Sequence, residues 1–181
     1  MSLAPKIIIA ALALLTAGTL PGQASQLESI GTDVAVALPL VAGGIAVYKG
    51  DWMGVVQLGA GGFSTVATVY ALKHVVREQR PDKSDYQSFP SDTVAIAASG
   101  SSFLWARYGW QYGLPAFAVS EFVAYTRVDA KKHHWYDTLA SSAIAASYAY
   151  VLDTRYREPN RFHSDLSVTP GSAYIRVAFQ F

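Results

Sequence analysis

The side chains able to do polar chemistry gather in three short stretches of an otherwise apolar chain. In the first, Lys73 and Arg80 stand seven residues apart with Arg77 between them and Pro81 next. Seven residues is nearly two helical turns, so a helix continuing from Trp52 through Arg80 would send both cations from one face, with Arg77 close to it. Pro81 would end that helix. An ammonium point charge and a planar guanidinium fork together make a phosphate clamp. The second stretch is Pro90-Ser91-Asp92-Thr93, directly before an apolar run. Ser, Asp and Thr all cap helix N-termini, and the free N–H groups there hold anions. The third runs from Thr126 to Asp137, with Arg127 six residues before His133 and Asp137 four after it. A carboxylate one turn from an imidazole fixes its tautomer and raises the basicity of the other ring nitrogen. An imidazole so held is a nucleophile or a base. Metal ligation is not expected: His133 and His134 are adjacent and point apart on a helix, while His74 and His163 lack ligand spacing.

These groups need a scaffold, and the composition says which kind. The 181 residues are 51% hydrophobic and 15% charged, with no cysteine and a net charge of +1. A disordered chain, a disulfide scaffold and a cysteine-ligated metal module are excluded. No bulk field favours nucleic acid, so phosphate chemistry must come from local clusters. Apolar, Ala- and Gly-rich runs cover Asp33 to Tyr48, Trp52 to Leu72, Thr93 to Ala106, Trp110 to Tyr125 and Thr138 to Leu152. Their apolar residues lie all round, as in a buried or lipid-facing helix. The expected fold is all-α, a bundle of about five to six helices with an extended C-terminal tail. Only Trp52 to Leu72, with 21 uncharged residues, reaches the length needed to cross a bilayer comfortably.

Residues 1–24 read as a signal peptide or N-terminal membrane anchor: Lys6 precedes the apolar run Ile7 to Leu15, and cleavage is expected near Ala24 or Ser25. Residues 25–152 form the expected helical bundle. In the tail, residues 153–181, Ala173 to Phe181 alternates like a strand.

Taken in order, the three polar stretches have the form Lys-x6-Arg-Pro (Lys73 to Pro81), Pro-Ser-x-x (Pro90 to Thr93) and Thr-Arg-x5-His-x3-Asp (Thr126 to Asp137). The chain thereby resembles the type 2 phosphatidic acid phosphatase family, related to bacterial non-specific acid phosphatases and vanadium haloperoxidases. The resemblance spans roughly Trp52 to Leu152. It implies that Lys73, Arg80 and Arg127 hold phosphoryl oxygens, with Ser91 and neighbouring N–H groups adding hydrogen bonds. His133 would be the nucleophile that forms a phosphohistidine, and Asp137 would orient it, with no cofactor or metal. Thr126 replaces the family's Ser. Thr93 replaces the His that protonates the leaving oxygen, a contribution worth roughly 10²–10⁴-fold. Asp92, Thr93 itself or His134 would have to supply that proton, and the alternative is a catalytically impaired phosphate-binding or structural relative.

The expected substrate is a phosphomonoester or diphosphate, of a membrane lipid such as phosphatidylglycerol phosphate, undecaprenyl diphosphate, phosphatidic acid or lipid A. The expected location is the periplasm or an inner membrane with the active site facing the periplasm.

Overall fold

The computed structural model describes residues 23–157, 162–169 and 172–179. The expected signal peptide or anchor lies almost wholly outside the described residues. Among the described residues five helices make the bundle: α1 (Gln23–Tyr48), α2 (Trp52–Val75), α3 (Asp92–Tyr108), α4 (Trp110–Asp129) and α5 (Trp135–Leu152). The fold is all-α. In the tail, β1 (Phe162–Thr169) and β2 (Ser172–Phe179) pair antiparallel, with Phe162 opposite Phe179 and Thr169 opposite Ser172.

The helices alternate in direction, so the starts of α1, α3 and α5 meet the ends of α2 and α4 at one end of the bundle. Small residues let them approach closely. A Cβ on Gly31 of α1 would lie 2.0 Å from Thr126 Oγ1 of α4, and one on Gly100 of α3 would lie 2.8 Å from the backbone nitrogen of Pro39 in α1. Many of the buried positions are alanine, including Ala42, Ala46, Ala97, Ala116 and Ala145. Phe103 and Leu104 are buried among them, but many of the large side chains point outward: Trp52 is 68% exposed, Phe63 76% and Tyr150 88%. Small residues inside and bulky apolar residues outside is the distribution expected of helices packed in lipid rather than in water. Among the described residues two helices, Gln26–Tyr48 and Trp52–Val75, are long and apolar enough to span a membrane.

The end away from the polar stretches is locked by a buried ion pair. Arg107 Nε donates to Asp51 Oδ2 at 2.7 Å, Tyr108 donates its hydroxyl to the same oxygen at 2.7 Å, and the Gly54 N–H reaches Oδ1 at 2.9 Å. Arg107 also donates to the Thr154 carbonyl at 2.6 Å, which fastens the chain leaving α5. With every charge partnered, the pair holds together the starts of α2 and the ends of α3 and α5.

Candidate active site

At the opposite end, two connecting loops carry the polar residues. Helix α2 ends at Val75, five residues before Arg80, so Arg80 does not share a helical face with Lys73 as the spacing predicted. The chain leaves the helix early, with Val76 in an extended conformation, and a folded loop brings Arg80 back. There the Arg80 N–H donates to the Asp85 carbonyl at 3.0 Å and the Ser88 N–H to the Glu78 carbonyl at 3.0 Å. Arg80 Nε donates to Asp85 Oδ1 at 2.8 Å, and its Nη1 donates to the Lys132 carbonyl at 3.3 Å. Helix α4 ends where Lys131 takes a left-handed φ of 55°. The Arg127 carbonyl then accepts the N–H groups of Lys132 and His133, folding the second loop back over the site.

His133 is 1% exposed. Its Nδ1 donates to the Ser88 carbonyl at 2.6 Å, which fixes the tautomer and leaves the lone pair on Nε2. Nε2 is buried and has no hydrogen-bond partner. Burial, reinforced by Lys73 and, more weakly, by Arg80 and Arg127, pushes the imidazole pKa down to about 4, against the opposing Ser88 hydrogen bond. At neutral pH the ring is therefore uncharged.

Asp137 sits one step further back than its spacing predicted. Its Oδ2 lies 3.6 Å from His133 Nδ1, beyond hydrogen-bond reach, and instead accepts the Ser88 hydroxyl at 2.5 Å and the His134 N–H at 2.8 Å. The Ser88 carbonyl has taken the place on the imidazole, and Asp137 holds Ser88. Nothing in the sequence singled out Ser88; its only signal is its position just before Pro90-Ser91.

Lys73 and Arg127 flank the imidazole. Lys73 Nζ donates to the Gln87 carbonyl at 2.9 Å and stands 3.8 Å from Asp92 Oδ1. Arg127 is buried, pairs through Nη1 with Glu28 of α1 at 3.1 Å and leaves its Nε without a partner. Ser91 is the N-cap of α3: its Oγ accepts the Val94 N–H at 3.4 Å, and its own N–H donates to the Asp137 carbonyl at 3.4 Å. Buried polar atoms without partners cost about 1–3 kcal/mol each. The Arg127 Nε–H is thus free to meet an anion, and the lone pair on His133 Nε2 is free to meet an electrophilic centre such as phosphorus.

The three residues weighed as the proton donor part company. Asp92 is on the Nε2 side, with Oδ1 4.0 Å from that nitrogen, and its side chain is 60% exposed. Burial of the carboxylate works to raise its pKa; Lys73 and His133 outweigh it, and the group titrates below its usual range. His134 is on the Nδ1 side, 3.5 Å from Asp137 Oδ2, with its ring stacked on Tyr136. Thr93, next along α3, is half-buried. Glu78, His134 and Asp137 place three ligand-type atoms within 4.8 Å of one another. Those carboxylates are engaged, Glu78 by the Tyr136 hydroxyl and Asp137 by Ser88.

Compared with known proteins, the chain is 31% identical over 169 residues to lipid A 4'-phosphatase of Helicobacter pylori strain J99, a match covering 86% of this chain and 84% of the relative. The chain belongs to that lipid phosphatase family. No family model matches the chain, and no solved structure matches it. As a lipid phosphatase it is a membrane-associated hydrolase of phosphoric esters, which agrees with the outward-facing bulky residues and the two membrane-length helices.

Proposed function

We propose that this lipid phosphatase is exported and hydrolyses a phosphoester or diphosphate of a membrane lipid through a phosphohistidine on His133, at a site that faces the periplasm. The observation that carries the reading is the buried His133 ring, pinned at Nδ1 by Ser88 with an unpartnered Nε2 directed at the start of α3. Lys73, Arg80 and Arg127 hold the non-bridging phosphoryl oxygens, and Ser91 with the first N–H groups of α3 completes the cradle. Fixed cations and a helix N-terminus stabilise charge in an in-line transfer without reorganising as it develops.

In the first step Nε2 bonds to phosphorus while the bond to the leaving oxygen breaks. Asp92 is the proton carrier at that face: its Oδ1 lies 4.0 Å from Nε2, His134 is on the Nδ1 side, and the Thr93 hydroxyl has no useful acidity near neutral pH. A bound phosphate dianion repels its carboxylate and favours the protonated acid. After delivering that proton to the leaving oxygen, the carboxylate takes one from the water that attacks the phosphohistidine. Phosphate then leaves, and Nε2 recovers its lone pair. The Ser88 carbonyl accepts the Nδ1–H throughout, and the Asp137 charge behind it steadies the positive imidazole.

The lipid part of the reading rests on an apolar cleft of about 500 Å³ between α3, α4 and α5. It is walled by Ala98, Ser101 and Trp105 of α3, Phe117 of α4, and Ala146 and Tyr150 of α5. Ala98 is six residues below the start of α3, so the cleft begins about 9 Å along the helix from the phosphate cradle, within reach of an acyl chain. The named relative directs the first choice of substrate to lipid A. Phosphate release from lipid A, phosphatidic acid, phosphatidylglycerol phosphate and undecaprenyl diphosphate, measured beside His133→Ala, tests the proposal. Release that depends on His133 supports it; release unaffected by the substitution sinks it.

A further inference from the structure

A second polar depression, of about 640 Å³, lies outside the phosphate cradle and shares Lys73 with it. Its walls are the end of α2, through Lys73, His74 and Arg77, and the returning loop, through Asp85, Tyr86 and Gln87. The catalytic account uses Lys73 and leaves the rest idle. Asp85 is committed to Arg80 and to the Gln87 N–H, at 2.8 Å each, and no hydrogen bond or ion pair joins it to Arg77. His74 donates through Nδ1 to the Tyr70 carbonyl at 2.8 Å, leaving its Nε2 for other contacts. Among the described residues no hydrogen bond or ion pair engages the Arg77 guanidinium. Tyr86 is 60% exposed and offers a flat ring and a hydroxyl.

An unpaired guanidinium, an imidazole nitrogen and an open aromatic ring around one hollow suit a particular chemistry. Guanidinium grips an oxyanion through a planar fork, and an aromatic face packs against the apolar face of a ring-shaped, hydroxylated group. The shared Lys73 means that a ligand in the hollow and a phosphoryl group in the cradle can belong to one molecule.

We propose that this depression is a headgroup subsite that takes a second anionic group, such as a second phosphate on a sugar headgroup, with Arg77 as its anion-binding residue and Tyr86 as its platform. The proposal rests on the hydrolase reading above and deepens it: the preferred substrate carries two separated anions, and only the one in the cradle is cleaved.

The test uses the full chain in detergent micelles and two matched disaccharide lipids, one bisphosphorylated and one lacking the non-scissile phosphate. The wild type is expected to favour the bisphosphorylated lipid in kcat/KM. Arg77→Glu should shrink that preference by about tenfold, through KM more than kcat, while Arg77→Lys should retain part of it, because a lysine keeps the charge but not the fork. Raising the salt concentration should erode the preference as well, since the group is exposed. A preference that Arg77→Glu leaves unchanged, or an equal loss on both lipids, overturns the subsite. If neither lipid yields phosphate, the hydrolase reading fails by itself. Equilibrium binding of the same two lipids then decides the subsite: tighter binding of the bisphosphorylated one, abolished in Arg77→Glu, supports it, and equal binding refutes it.

Discussion

Replacing Ser88 by Ala separates the geometry found here from the simpler one in which Asp137 holds the histidine directly. The substitution keeps the main-chain carbonyl that accepts the His133 Nδ1–H at 2.6 Å and removes the hydroxyl that donates to Asp137 Oδ2 at 2.5 Å. Asp137 is fully buried, its Oδ1 already lacks a partner, and it would keep only the His134 N–H at 2.8 Å. A hydrogen bond to a buried charge is worth about 1.5–3 kcal/mol, so a loss of about 2 kcal/mol in positioning corresponds to about a 30-fold fall in kcat. KM should move little, because the phosphate-holding groups Lys73, Arg80 and Arg127 are untouched. Steady-state phosphate release from a lipid phosphate in micelles gives both parameters. Asp137→Asn should cost more, since it also removes a negative charge 3.6 Å from Nδ1, and the two losses should not add in the double variant. A kcat for Ser88→Ala within threefold of wild type, beside a loss above 100-fold for Asp137→Asn, would refute the relay through Ser88.

The acidic limb of kcat/KM is expected to reflect the depressed His133 value. The ring is neutral and reactive above about 4 and becomes protonated as the pH falls through that value, so a limb near the ordinary 6.5 would contradict the burial argument. The same group makes folding stability rise with pH between about 4 and 6.5, because there the unfolded chain binds a proton that the folded chain does not. Asp92→Asn should slow a lipid monophosphate by about 100-fold or more and an aryl phosphate much less, since an aryloxide leaves without a proton; equal losses on both would remove Asp92 from proton transfer. At the far end, Arg107→Met leaves the buried Asp51 charge without its partner. Thermal or denaturant unfolding in detergent should show a loss of about 3–5 kcal/mol, with kcat per folded molecule retained, whereas a loss below about 1 kcal/mol would mean that the pair is not a lock.

The helices were legible because Gly, Pro and charge interrupt long apolar runs, and because Ser91 is a strong N-cap. Their ends were less so: α1 begins at Gln23 and includes Glu28, whose spacing carries no sign of its pairing with Arg127. Which way the apolar residues face could not be read from runs that are apolar all round, and only the packing shows alanine inside and tryptophan outside. The cationic and histidine residues were visible as types at fixed spacings. Their mechanism of convergence was not, because Arg80 arrives by a loop closed through main-chain hydrogen bonds from Arg80 to Asp85 and from Asp82 to Lys131, which leave no side-chain signature. The same holds for Ser88, whose carbonyl does work that any residue's carbonyl can do. In the tail, Phe162, Leu166 and Val168 alternate with polar residues, a pattern hidden by the overall polarity of the segment that pairs with Ser172–Phe179.

The central claim is a covalent phosphohistidine on His133. Rapid acid-free quenching of the enzyme during turnover of a phosphorus-labelled lipid substrate, followed by peptide mapping, tests it most directly. The account predicts acid-labile, alkali-stable label on Nε2 of His133, absent in His133→Ala. Turnover without any labelled protein, or label on another residue, would contradict it.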